Sequence, residues 1–169
     1  KALLVLNKLS LTTFEKLSDA FIQCGIGNSE TLLSGAIDLI VHKAMMESHF
    51  AEMYTSLCLK LARTPMLALG DDEGKKAKKF KKMLVTRCQA EFEKDQTEEI
   101  AKLVKDPEDA EEVAYHTLLV KRYYLGYTRF IGELYKQDLI KIAVMVSILP
   151  PLIGSDGGEA CGPDVVMDE

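Results

Sequence analysis

No two of the four cysteines stand close enough to form a CxxC pair. Cys24, Cys58, Cys88 and Cys161 are widely separated, which argues against a zinc site or a disulfide framework. They read as three buried thiols on helices and one in a tail, in a reducing compartment. No apolar run reaches the roughly 18 residues needed to cross a membrane. The N-terminal stretch KALLVLNKL has no signal-peptide cleavage pattern, so nothing points to secretion, and a cytoplasmic location is expected. Long alternations of Val, Ile and Thr are missing, which excludes a strand-based fold.

Groups for catalysis are equally scarce. There is no GxGxxG and no P-loop; Gly126 and Gly132 lie inside a helical pattern and read as points of close helix packing. Of the three histidines, His42 and His49 are seven apart, but the helix is expected to break between them and no third ligand has suitable spacing. Glu91, Glu93 and Glu133 fall on amphipathic helices and read as solvated faces, with nothing marking a pocket around them. No enzyme activity, cofactor or metal is expected.

What the chain does have is helical periodicity and turn punctuation. Its 169 residues suffice for one hydrophobic core, or for part of a solenoid. It begins at Lys1 and reads as a piece excised from a longer protein. Residues 2–9 form the end of a helix or an extended arm. Ser10 or Thr12 caps a helix to about Cys24, with Thr12 and Glu15 at capping-box spacing and Gly25 and Gly27 closing it. Asn28 or Ser29 opens a second helix to about Glu47, and a third covers about 49–63 before Thr64 and Pro65. A fourth runs from about Lys76 to Lys94. Residues 95–112, acidic and carrying Pro107, read as a long and partly disordered connection. Helices over about 110–136 and 138–149 follow, the last ended by Pro150 and Pro151. Paired, these helices give an all-α, HEAT-like solenoid of about three hairpins, part of a longer repeat domain. The domain is expected to span residues 1–153, with 154–169 an irregular tail or the end of the excised piece.

Charge is unevenly placed. The net charge is −5, yet residues 75–82 carry six lysines: Lys75, Lys76, Lys78, Lys79, Lys81 and Lys82. Residues 91–112 carry ten carboxylates against three lysines. The lysines could bind RNA phosphates or simply form a solvated face; lysines near a helix N-terminus gain nothing from the helix dipole. Tyr123, Tyr124, Tyr127 and Arg129 are spaced as helix core and rim.

Four stretches, LNKLSLTTFEKL (6–17), LLSGAIDLIVHKAMMESHFAEMYTSLCLKL (32–61), FKKMLVTRCQAEFEKD (80–95) and LGYTRFIGELYKQDLI (125–140), resemble the middle domain of eukaryotic translation initiation factor 4 gamma. They occur in the family's order and cover most of residues 1–145. The resemblance implies a stack of HEAT-type hairpins that does no chemistry. It implies a scaffold that clamps the two lobes of the DEAD-box helicase initiation factor 4 alpha, contacts mRNA, and meets the cap-binding protein through segments outside this chain. It implies helicase contact at Leu6, Leu9 and Phe14; packing of the first hairpin is the alternative role for each. Three departures accompany it: Leu11 stands where the family usually has Pro, the acidic linker is short, and about three hairpins are present where the family has about five. The missing hairpins would contact the other helicase lobe, so one-lobe or weak binding is expected. A paralogous scaffold in splicing, decay or translational repression, or a general RNA-binding module, remains the alternative.

Overall fold

The computed structural model describes residues 1–70 and 73–145, without the side chains of Glu73, Gly74 and Lys76. All regular structure among the described residues is helical. The order is α1 (Ala2–Leu6), α2 (Phe14–Phe21), α3 (Glu30–Met46), α4 (Ala51–Arg63), α5 (Glu73–Phe92), α6 (Gln96–Leu103) and α7 (Ala110–Lys136).

The central helix is α3. It packs on α4, α5 and α7, and α4 in turn packs on α5 and α7. Leu33, Ile37, Ile40 and Met45 on α3 meet Tyr54, Leu57 and Leu61 on α4, Phe80 and Leu84 on α5, and Tyr127, Phe130 and Leu134 on α7 in one buried cluster. Each such side chain, fully removed from water, stabilises the fold by about 1.5–3 kcal/mol.

Local signals place several boundaries where the sequence puts them. The Ser29 hydroxyl accepts from the Leu32 amide at 3.2 Å and starts α3. Gly25, at φ +81°, takes the left-handed conformation that ends the π-type turn Ile22–Ile26 after α2. The backbone leaves the helical region at Glu47, so His42 and His49 do stand on separate helices. At Gly126, a Cβ would lie 2.0 Å from the Met45 carbonyl oxygen; α7 crosses the end of α3 there, and only glycine fits.

Other expectations are corrected. The Thr12–Glu15 capping box does not form. Thr13 occupies the cap position, and the Ser10, Thr12 and Thr13 hydroxyls bond one another instead. The acidic connection is not structureless: Asp95 caps α6 by accepting from the Thr97 amide at 2.7 Å, and α6 packs on α7. Helix α5 begins at Glu73, so the lysines lie within it. Gly132 has nothing within 4 Å of a virtual Cβ, so packing does not require it. Cys58 and Cys88 are buried, whereas Cys24 is partly exposed. After a turn in which Asp138 takes φ 55°, residues 142–145 are helical. The rest of the expected sixth helix, Pro150, Pro151, Cys161 and residues 154–169 lie outside the described residues.

Candidate functional site

Three surfaces carry the chemistry of the chain. The first is the edge formed by α1, the turn after it and α2. Leu6 is 1% exposed and Leu9 7%, so both point into the core. Phe14 is half-buried, and Leu11, 76% exposed, stands out from the turn. The edge is held from below by Lys60 of α4. Its ammonium lies 2.8 Å from Asp19, 3.0 Å from Glu15 and 2.8 Å from the Ser18 hydroxyl, and 6.0 Å from the centre of the Phe14 ring. The hydrogen bond to Asp19, then that to Glu15, raises the Lys60 pKa against the opposing effect of burial. Of the three residues singled out from sequence, Phe14 alone keeps substantial open surface.

The second surface is the first half of α5. Lys75, Lys78, Lys79 and Lys82 follow i, i+3, i+4, i+7 and share one face. Lys75, Lys78 and Lys82 are exposed. Lys79 is tied to Glu30 at 2.7 Å and donates to the Ala68 carbonyl at 2.9 Å. Lys81 points elsewhere and donates to the Asp138 carbonyl. The Lys76 side chain lies outside the described part. Beside this face, α3 and α5 enclose an open groove of about 800 Å³ lined by Thr31, Ser34, Lys82, Thr86 and Arg87.

The third surface went unread in the sequence. Glu91 is not a solvated carboxylate: its side chain is 1% exposed. Arg87 donates to it at 2.6 Å, Lys94 at 2.8 Å and the Tyr123 hydroxyl at 2.9 Å, while the Arg87 Nε lies 2.6 Å from Asp38. Burial pushes the Glu91 pKa up, but these three donors outweigh it and hold the carboxyl below its ordinary value. The same burial and the neighbouring carboxylate push the Tyr123 hydroxyl well up. The signal was present: Phe80, Leu84, Cys88 and Glu91 continue one apolar stripe, so the carboxylate falls on the buried face of α5. Glu93 is exposed, and Glu133 pairs with Lys136 at 3.0 Å. Tyr124 and Tyr127 are core residues, Tyr123 is half-buried and Arg129 is exposed.

Among the described residues there is no cluster of three or more His, Cys, Asp and Glu side chains that could hold a metal, and no helix long and apolar enough to cross a membrane.

Residues 1–167 match the MIF4G domain. The chain is 38% identical over 157 residues to eukaryotic translation initiation factor 4G of Arabidopsis thaliana, covering 89% of this chain and 9% of that protein. It is 29% identical over 185 residues to eukaryotic translation initiation factor 4 gamma of Dictyostelium discoideum, covering 91% of this chain and 13% of that protein. It is 33% identical over 159 residues to eukaryotic translation initiation factor 4 gamma 2 of Mus musculus, covering 88% and 17%. The chain thus corresponds to only 9–17% of the length of these relatives. With that match running almost end to end, and with all regular structure among the described residues helical, the chain belongs to the MIF4G domain family.

Proposed function

We propose that this chain is a scaffold module of translation initiation that binds the DEAD-box helicase initiation factor 4 alpha through the edge containing Leu6, Leu9 and Phe14. The observation that carries the reading is the LNKL-to-Phe14 motif standing on a preformed, braced edge in a chain of this family. Leu6 and Leu9 act from inside, shaping the turn; Phe14 and the projecting Leu11 offer the contact surface. The lysine face of α5 is the RNA-binding surface in this reading, with Lys78 and Lys82 as its open cations. The cap-binding protein is met, if at all, by other segments of the whole protein.

The test is a calorimetric titration of the chain against the helicase at moderate salt. Phe14→Ala combined with Leu11→Glu is expected to weaken binding by about 2 kcal/mol or more while the chain stays folded by circular dichroism. Leu6→Ala is expected instead to lower stability by about 2–4 kcal/mol, as buried leucine truncations do. Unchanged helicase affinity in the Phe14/Leu11 variant would remove the edge from the interface.

A further inference from the structure

The groove between α3 and α5 has walls tied together at two points. Lys79 pairs with Glu30 at 2.7 Å, and Arg87 with Asp38 at 2.6 Å. The two pairs stand eight residues apart on both helices. The helices therefore run side by side in one direction, with about 12 Å between the pairs. Both carboxylates that α3 sends towards α5 are engaged in this way.

The charged lining of the groove is Glu30 against Lys79, Lys82 and Arg87. Lys79 and Arg87 are held by their partners, so Lys82 is the lining cation left for a ligand. Lys78, one turn before it, is exposed on the same face of α5. The groove thus continues the lysine face sideways towards α3.

Its remaining polar surface is made of hydroxyls. Elsewhere on the helices Ser56, Thr117 and Thr128 turn their hydroxyls back onto the carbonyl four residues earlier. Among the described residues none bonds the hydroxyls of Thr31 and Ser34 on α3 or of Thr86 on α5. All three residues are exposed, and all three line this groove. Each hydroxyl is able to donate one hydrogen bond to a ligand.

The lining also limits what can be read there. None of the lining residues is aromatic, and the one guanidinium is committed to Asp38 and Glu91. A base would find no ring to stack on and no open bidentate partner. A lysine with hydroxyls beside it is instead the donor set that proteins place on phosphate and sugar oxygens, which carry no sequence information.

We propose that one RNA strand lies along this groove, its sugar–phosphate backbone held by Lys82 and by the hydroxyls of Thr31, Ser34 and Thr86, whatever its base sequence. The proposal rests on the reading of the α5 lysines as an RNA surface; it adds where the strand leaves that face and what holds it there.

The test is the binding of labelled oligouridine and oligocytidine, each of about ten nucleotides, to the full 169-residue chain by fluorescence anisotropy over a salt series. The parent chain is expected to bind the two within roughly twofold of each other. Thr31→Val, Ser34→Ala and Thr86→Val together are expected to stay folded by circular dichroism and to weaken binding at least roughly tenfold. The loss is expected to be the same at every salt concentration, because a neutral hydrogen bond releases no counterion. Lys78→Glu with Lys82→Glu is expected to lower the salt slope instead. Amide NMR of the parent chain is expected to show oligouridine shifting Thr31 and Ser34, on a helix that carries none of the lysines of that face.

Parent affinity in the folded hydroxyl variant overturns the proposal. So does a salt slope that falls in that variant, a set of amide shifts confined to α5, or a preference of roughly tenfold or more for one base. In each of those cases the lysine face still stands if the double lysine variant binds RNA more weakly. No RNA binding by the parent chain removes both readings.

Discussion

At the scale of single residues, Glu91 shows how a helical stripe can carry a charge into the interior. A lone buried carboxylate would cost several kcal/mol, so its three donors are a condition of its burial. Removing it in Glu91→Ala takes this partner from Lys94 and the Tyr123 hydroxyl and leaves Arg87 with Asp38. Because Arg87 and Lys94 retain 24% and 40% side-chain exposure, water recovers part of the loss. A destabilisation of about 2–3 kcal/mol is expected by urea denaturation, below the full cost of breaking a dry pair. The pH dependence follows from the depressed pKa. The folded carboxyl holds its proton less tightly than the unfolded one, whose ordinary value is 4.5. Its stabilisation is therefore complete above that value and lost as pH falls through the lower, folded one. Glu91→Gln is expected to flatten this acid limb in Tm measured between neutral pH and about pH 3. An equally steep acid limb in the variant would assign it to other carboxylates. In the sequence Glu91 looks solvated because glutamate is rarely buried; only its position on the apolar stripe of α5 points inward. Leu6 and Leu9 were legible only as apolar; which side of the turn they take depends on the packing of α1 against α2 and α3.

At the scale of elements, periodicity located α3, α4 and α7 almost to the residue, since each has a long apolar stripe and a capping or stopping signal. It missed α6 because eight residues rich in Glu and Lys bury little, and the acidic composition resembles a linker. The Asp95 cap and the packing of α6 on α7 stabilise a helix too short to stand alone. The glycines of α7 separate packing from propensity. Gly126→Ala would drive a methyl group against the Met45 carbonyl, which belongs to backbone and cannot rotate away. A loss of about 3 kcal/mol, the upper end of ordinary overpacking, is expected. Gly132→Ala meets nothing within 4 Å and is expected to gain up to about 1 kcal/mol from helix propensity. The two substitutions are chemically identical and six residues apart on one helix. Equal effects on chemical denaturation would mean that α7 does not cross α3 at Gly126.

At the scale of the molecule, the arrangement of charge matters more than its sum. Helix α5 has 20 residues and so a length of about 30 Å. Its first half bears the lysines, and its far end, with α6, bears the carboxylates. The chain is therefore polar along α5 even though its net charge is −5. Acidic proteins repel RNA at long range, but at 0.15 M salt the Debye length is only about 8 Å. A strand approaching the lysine end is screened from the carboxylates of α6 and meets a lysine-rich face on which Glu30 is paired with Lys79. Lys78→Glu with Lys82→Glu reverses two exposed cations of this face and leaves Lys79 and Lys81 in their structural contacts. Each lost phosphate contact lowers the slope of log affinity against log salt by about 0.7 for a single strand, so the pair is expected to lower it by about 1.4. Helicase affinity is expected to be unchanged, because the α1–α2 edge draws on neither residue. A variant with the parent salt slope would mean that RNA does not contact this face through Lys78 and Lys82.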